Sequence, residues 1–408
     1  MRRVPLLLLL LASLGLISCT TPGTGPAAGP LILVSIDGFR WDYLEKYDAP
    51  VLRRLAAAGV HARRMTPSFP SKTFPNHYTI VTGLRPQRHG IVANSFYDPA
   101  LNDTFGMPRK EEVWWSGGEP LWITAEKQDV RTAIYFWPGS ESSLQGRRPT
   151  QFQPFQKNRL TTERVDGALA WLDRPAAERP RFLALYLEHL DIAGHAHGPD
   201  APETAAAVKE ADDAIARLLA GLEKLGLRDS ANLVIVSDHG MSAASPDRVV
   251  FFEDLMDLSL VSVEAAGPYG GVRPKAGVDP AALVASIRAH APPQVQVYRR
   301  EDMPARLHYN HGDRVPPILL LMDDGWSIEQ KPGWPALRAR YSKGNHGWDP
   351  ALPSMGALFI ATGPAFRRGT QLADVDNVDV YDLLCAVLGI TPAPNDGTTK
   401  LTRAALRP

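Results

Sequence analysis

The run Leu31 to Ile36, LILVSI, is continuously apolar, favours extended backbone, and stops on an aspartate followed by a glycine, Asp37-Gly38. A strand with no polar alternation must be covered on both faces, which is the situation of a central strand in a parallel sheet flanked by helices. The pattern recurs at Thr132 to Trp137, Phe182 to Leu187 and Leu233 to Ser237. Helical periodicity runs from about Asp42 to Ala58, from Thr162 to Leu172 and from Glu203 to Leu225, so strands and helices alternate. That alternation predicts an α/β fold, a three-layer α/β/α sandwich around a central, mostly parallel sheet. Ala357 to Thr362 restores a buried strand late in the chain, and Asp379 to Leu388 supplies a final helix.

Between about Ser262 and Tyr341 the pattern loosens into a helix near Pro280 to His290 and short strands near Gln294 to Arg299 and Ile318 to Met322, with many prolines and glycines. This reads as a smaller α+β insertion, residues 262–341, inside a catalytic domain spanning 31–392 and followed by a tail, 393–408. Ahead of that domain, Arg2 and Arg3 precede an apolar run from Pro5 to Ile17 that is too short to span a bilayer and reads as a secretory signal, residues 1–18. Its end, Leu16-Ile17-Ser18-Cys19, resembles a bacterial lipobox, in which the cysteine carries the lipid, and residues 19–30 form a linker rich in Gly, Pro and small residues. The expectation is an exported lipoprotein at the periplasm or cell surface, touching a membrane only through its anchor. After Cys19 only Cys385 remains, so the mature domain can form no internal disulfide. Lys plus Arg and Asp plus Glu are 44 each, the formal charge is zero, and no long basic tract is present, which excludes bulk nucleic-acid binding. Any partner is a small molecule bound locally, and nothing in the sequence fixes an oligomeric state.

Chemistry gathers where predicted strands end. Asp37 closes LILVSI, Asp191 and His195 follow FLALYL in EHLDIAGHAHGPD, Asp238-His239-Gly240 follows NLVIVS, and His346 lies in GNHGWD. Ligands of open α/β sheets bind beyond the carboxyl ends of strands, so these loops should converge on one rim. Each fragment alone is ordinary turn chemistry, but four at strand ends in one chain supply three Asp and three His, the oxygen and nitrogen donors that zinc accepts. The stretch SFPSKTFPNHYTIVTG, Ser68 to Gly83, adds a hydroxyl, Thr73, between Pro70 and Pro75. Asn76 is placed to cap a helix starting near His77, whose free N–H groups would face an anion. Lys72 reads as a solvated neighbour.

In that order and spacing, VSIDGFRWDYL, PSFPSKTFPNHYTIVTGLRPQRHGIVANSFYDP, YLEHLDIAGHAHGPD, VSDHGM and GNHGWDP resemble the nucleotide pyrophosphatase/phosphodiesterase family of the alkaline phosphatase superfamily. The resemblance implies an alkaline phosphatase-like fold and two Zn2+ ions. One would be held by Asp191, His195 and His346, the other by Asp37, Asp238 and His239 together with Thr73. It implies that Thr73 is the nucleophile, that Asn94 binds a phosphoryl oxygen beside the backbone N–H of the nucleophile, and that Phe74 and Tyr186 clamp a nucleobase. It gives no ligand role to His77, His89 or His197. A Cys at the nucleophile position would signal a sulfatase and a Ser the usual alkaline phosphatase; this chain has Thr73. The expected reaction is hydrolysis of nucleotide phosphodiester or pyrophosphate bonds through a covalent phosphothreonine, releasing nucleoside 5′-monophosphates. Two alternatives stay open: a diesterase of choline or glycerol headgroups with the same metal core, and a surface lipoprotein that binds zinc or nucleotides without turnover.

Overall fold

A computed structural model describes residues 29–408; the residues read as a signal segment, Cys19 and the stretch read as a linker up to residue 28 lie outside the described residues. Eight strands form the central sheet in the order Thr370–Leu372, Val60–Ala62, Phe359–Thr362, Asn232–Val236, Leu31–Ile36, Phe182–Leu187, Thr132–Tyr135 and Gln151–Gln153. Phe359–Thr362 alone runs against its neighbours, and every other pairing is parallel. Every residue of Leu31–Ile36 and Phe182–Leu187 is buried, as their unbroken apolar character requires. Helices Pro50–Ala58, Thr161–Leu172 and Pro202–Lys224 pack on one another in one outer layer, and Thr73–Thr82, Leu121–Glu126 and Val380–Leu388 in the other.

Register sets the site. Ser35 lies level with Tyr186 and Val236 in the two flanking strands, so Asp37, Glu188 and Asp238 emerge together at the carboxyl rim. At the opposite rim, Leu31 N–H donates to the Arg181 carbonyl and Asn232 N–H to the Pro30 carbonyl. The chain therefore enters the sheet one strand length, about 20 Å, from Asp37.

Three sequence expectations change. The helix read as Asp42 to Ala58 is two, Tyr43–Lys46 and Pro50–Ala58, because Pro50 has no N–H to continue the first and is suited to open the second. The strand read to Trp137 ends at Tyr135, where Phe136 adopts a left-handed φ of 69° and turns the chain outward. The helix expected near His77 begins at Thr73 instead, since Pro75 in the first turn has no N–H that the helix needs. Asn76 thus lies inside the helix; its side chain accepts from Ser68 N–H and donates to the Pro70 and Lys72 carbonyls, fixing the loop before Thr73 rather than capping.

Late in the chain, Val261–Ala265, Tyr269–Pro274, Ile318–Met322 and Val295–Arg299 pair as a separate antiparallel sheet with helix Pro280–His290, around its own apolar cluster that includes Val272, Ile287 and Leu320. From this unit Tyr309 donates its hydroxyl to the Val92 carbonyl, and Arg314 pairs with Asp98 while donating to the Gly90 and Trp114 carbonyls. Both brace the loop that carries Asn94. Residues read as a tail are packed: Asp396 N–H donates to the Gly83 carbonyl at 2.8 Å, its carboxylate accepts from Arg85 N–H, and Leu401 and Ala405 of helix Lys400–Ala405 are buried.

Candidate active site

The strand ends, helix Thr73–Thr82 and helix His189–His197 enclose a cavity of about 610 Å³ bordered by Asp37, Thr73, Asn94, Asp191, His195 and His346, among others. Asp238 and His239 are fully buried immediately beneath. Gly38 makes the closure possible: its φ is 70°, and a Cβ there would stand 3.2 Å from Asp191.

Three imidazoles are oriented the same way. His195 Nδ1 donates to the Gly344 carbonyl, His239 Nδ1 to the Gly240 carbonyl and His346 Nδ1 to the Ser71 carbonyl, each at 2.8 Å. Fixing the proton on Nδ1 leaves each Nε2 lone pair directed at the centre. There His346 Nε2 is 3.1 Å from His195 Nε2 and 3.6 Å from Asp191 Oδ1, while His239 Nε2 is 2.9 Å from Asp238 Oδ2, 3.4 Å from Asp37 Oδ1 and 3.3 Å from Thr73 Oγ1. Asp37 Oδ1, Asp191 Oδ1 and Asp238 Oδ2 are buried with no hydrogen-bond donor. A buried carboxylate oxygen without a donor is expensive, and only a cation satisfies several at once.

Charge crowding shows in the carboxyls. Burial, with Asp238 and Asp191 adding to it, raises Asp37 well above the usual carboxylate range. Burial works in the same direction on Asp238, but the neighbouring His239 and His77 outweigh it and hold that group well below its ordinary value. Burial and the neighbouring His239, Lys72 and His195 push His346 well down, which keeps it neutral and able to ligate. The donors fall into the sets Asp191/His195/His346, Asp37/Asp191/His239 and Asp37/His77/Asp238. The first is the set expected for one ion. In the others Asp191 reaches toward both centres and His77 joins. His77 has no lone pair to spare: its Nδ1 donates to the Thr73 carbonyl at 2.9 Å and its Nε2 accepts from the Ser35 hydroxyl at 2.8 Å. It positions Thr73.

Thr73 opens its helix and borders the cavity, and of the first-turn N–H groups that of Asn76 is taken by the Lys72 carbonyl. Asn94 accepts the Phe74 N–H on Oδ1 at 2.9 Å, which leaves its amide nitrogen for the cavity. The ring of Phe74 borders the cavity and rests against Phe105 and Trp115, with centroids 6.2 and 6.0 Å away. Tyr186 also borders the cavity, is 7% exposed, and its hydroxyl donates to Asp37 Oδ2. Lys72 is not a free solvated side chain. Its stem lies against Gly347 and burial pushes the ammonium down to about 8.

The sequence reading missed much of the outer wall, namely Met107, Lys110, Trp137, Glu141 and Phe155. Trp137 could have been found by the rule that selected Asp37, since Trp137-Pro138-Gly139 follows a strand end. Glu188 and Arg164, a fully buried guanidinium that grips it with both nitrogens, were missed too.

Residues 31–349 match the description of the type I phosphodiesterase / nucleotide pyrophosphatase family. The chain belongs to that family. Within the family, an uncharacterized pyrophosphatase/phosphodiesterase of Schizosaccharomyces pombe is 39% identical over 92% of this chain and 80% of its own length. A bis(5′-adenosyl)-triphosphatase of Bos taurus is 37% identical over 98% of this chain and 87% of its own. Ectonucleotide pyrophosphatase/phosphodiesterase family member 1 of Mus musculus is 38% identical, but the chain spans only 42% of its length. Among solved structures, murine ectonucleotide pyrophosphatase/phosphodiesterase 5, in an inactive threonine-to-alanine form in complex with AMP, superposes with a TM-score of 0.86 at 33% identity. That match covers 92% of this chain and all of the murine one. The family is one of phosphodiester-cleaving enzymes, and the α/β sandwich with its large mixed sheet is that of its catalytic domains.

Proposed function

We propose that this chain hydrolyses phosphodiester and pyrophosphate bonds of nucleotides and releases nucleoside 5′-monophosphates through a phosphothreonine on Thr73. The observation that carries this reading is the placement of Thr73 Oγ1 at a helix start, 3.3 Å from an inward-facing histidine nitrogen, above carboxylate oxygens that lack any donor. Asp191, His195 and His346 would hold one divalent cation and Asp37, Asp238 and His239 a second, with Asp191 near both; zinc suits this oxygen and nitrogen set. When bound, such cations neutralise phosphoryl charge and favour the deprotonated hydroxyl.

The chain's own groups then act in turn. The backbone N–H of Thr73 and the Asn94 amide nitrogen receive a nonbridging phosphoryl oxygen. Phe74, backed by Phe105 and Trp115, offers an apolar face for a base. Thr73 Oγ1 bonds to phosphorus as the bond to the departing oxygen breaks, and that oxygen leaves with the electron pair. Water then attacks the same phosphorus, the bond to Thr73 breaks, and the hydroxyl is regenerated; two in-line displacements give net retention. The murine structural relative carries AMP and is inactive with one threonine changed to alanine, which supports a nucleotide and a threonine nucleophile here. Relatives named as ectoenzymes or venom enzymes support export, which we assign to the signal segment and Cys19. Thr73→Ala, assayed on a nitrophenyl nucleotide ester with zinc supplied, should lose at least a thousandfold in kcat; near wild-type turnover refutes the nucleophile.

A further inference from the structure

Of the Lys and Arg side chains bordering the cavity, two are already neutralised: Arg109 by Asp103 and Glu111, and Lys110 by Glu141. Lys157 borders the same cavity, is exposed, and has no carboxylate partner among the described residues. The loop that carries it is pinned on both sides of the lysine. Before it, the Phe155 N–H donates to Glu141 Oε1 at 3.1 Å and the Phe155 ring rests on Phe136, centroids 5.3 Å apart. After it, the Arg159 carbonyl accepts from Arg164 Nε at 3.0 Å. The same Arg164 grips Glu188, three residues ahead of Asp191. The backbone that carries Lys157 is therefore fixed beside the wall that also carries Asp191, Ile192 and His195.

A phosphorus attacked by Thr73 bears two organic or phosphoryl substituents, one retained and one departing. The retained nucleoside has the Phe74 wall. We propose that Lys157 receives the negative charge of the departing group, so that the site favours nucleotides whose departing group is a phosphate chain, such as nucleoside triphosphates, over diesters that release an uncharged alcohol or a phenol. An ammonium with no carboxylate to give up gains the full attraction of an incoming phosphate, whereas Lys110 and Arg109 must first part from their partners. At an exposed position one such contact is worth about fivefold.

This inference rests on the phosphodiesterase reading, and one experiment separates the two. We compare kcat/KM for ATP and for the nitrophenyl ester of thymidine 5′-monophosphate, and inhibition by inorganic pyrophosphate, in the zinc-supplied wild type, Lys157→Met and Lys157→Arg. Lys157→Met keeps the apolar stem and should lower the ATP value about fivefold, weaken pyrophosphate inhibition by a similar factor and leave the nitrophenyl ester within about twofold, with Lys157→Arg restoring the wild-type ratio. The difference should shrink at high salt, where an exposed pair is screened. An unchanged ratio between the two substrates, whether both fall or neither does, overturns the role of Lys157 while leaving the phosphodiesterase reading standing. A wild type that cleaves neither substrate overturns that reading itself, and the inference with it. Equal melting temperatures of the three proteins exclude misfolding as the cause of a changed ratio.

Discussion

Tyr186→Phe removes one oxygen atom and keeps the ring, which makes it a clean probe of what that residue does. Its hydroxyl donates to Asp37 Oδ2, both groups are buried, and Asp37 Oδ1 already lacks a donor. Burial and the charges of Asp238 and Asp191 raise the Asp37 carboxyl; the Tyr186 hydrogen bond is the influence pulling it down. Burial and Asp37 hold the Tyr186 hydroxyl well above its ordinary value, so it stays a donor throughout the working range. A hydrogen bond to a charged group is worth about 1.5–3 kcal/mol, so without it a proton competes for Asp37 more effectively by that amount. The corresponding loss of divalent-cation affinity is about ten- to hundredfold. Zinc titrated into chelator-treated wild type and variant, against a metallochromic competitor, measures it directly. Because the competitor is a proton on a carboxyl of raised pKa, the loss should be largest below neutrality and should shrink as pH rises. Affinity within about twofold of wild type across that range would refute the anchoring role and return Tyr186 to the aromatic wall, a role that phenylalanine would fill unchanged.

Two further expectations follow from single buried positions. His89 accepts the Ile91 N–H on Nδ1 and faces the Thr79 hydroxyl, and burial pushes it down to about 3. Its folded pKa lies below the unfolded value of about 6.5, so its stabilising contribution is complete above that pH and is lost as pH falls, by about 2 kcal/mol at pH 5. Denaturant titrations at pH 7.5 and 5 should show this extra loss in wild type and not in His89→Gln, and equal losses in both would contradict it. Gly38→Ala places a Cβ 3.2 Å from Asp191 at a φ of 70°, which should destabilise by about 1–3 kcal/mol and lower kcat at least tenfold with little change in KM; a variant with unaltered kcat would show that the Asp191 loop is free to move.

Much of the sheet was legible because its central strands are buried on both faces and so have no polar residues to blur their ends. The same ends located Asp37, Asp191 and Asp238, since a strand's last residue is fixed by pairing rather than by loop chemistry. What escaped lies where the backbone departs from local preference. Phe136, at positive φ, turns Trp137 toward the cavity, and no periodicity announces such a turn. Asn76 looks like a helix cap by type, but with Pro75 in the first turn the helix starts four residues earlier than expected, at Thr73. Arg164 and Glu188 are distant in sequence and look like surface charges until the fold buries them together. Tyr186 was singled out for its ring, yet only the parallel register of Phe182–Leu187 against Leu31–Ile36 reveals that its hydroxyl meets Asp37.

The two rims of the sheet also bear on how the protein meets its substrates. Leu31 leaves the amino-end rim, tied there through Pro30 and Arg181, and the cavity opens at the other rim. A molecule held by its N-terminal segment would therefore stand with its mouth turned away from whatever holds it.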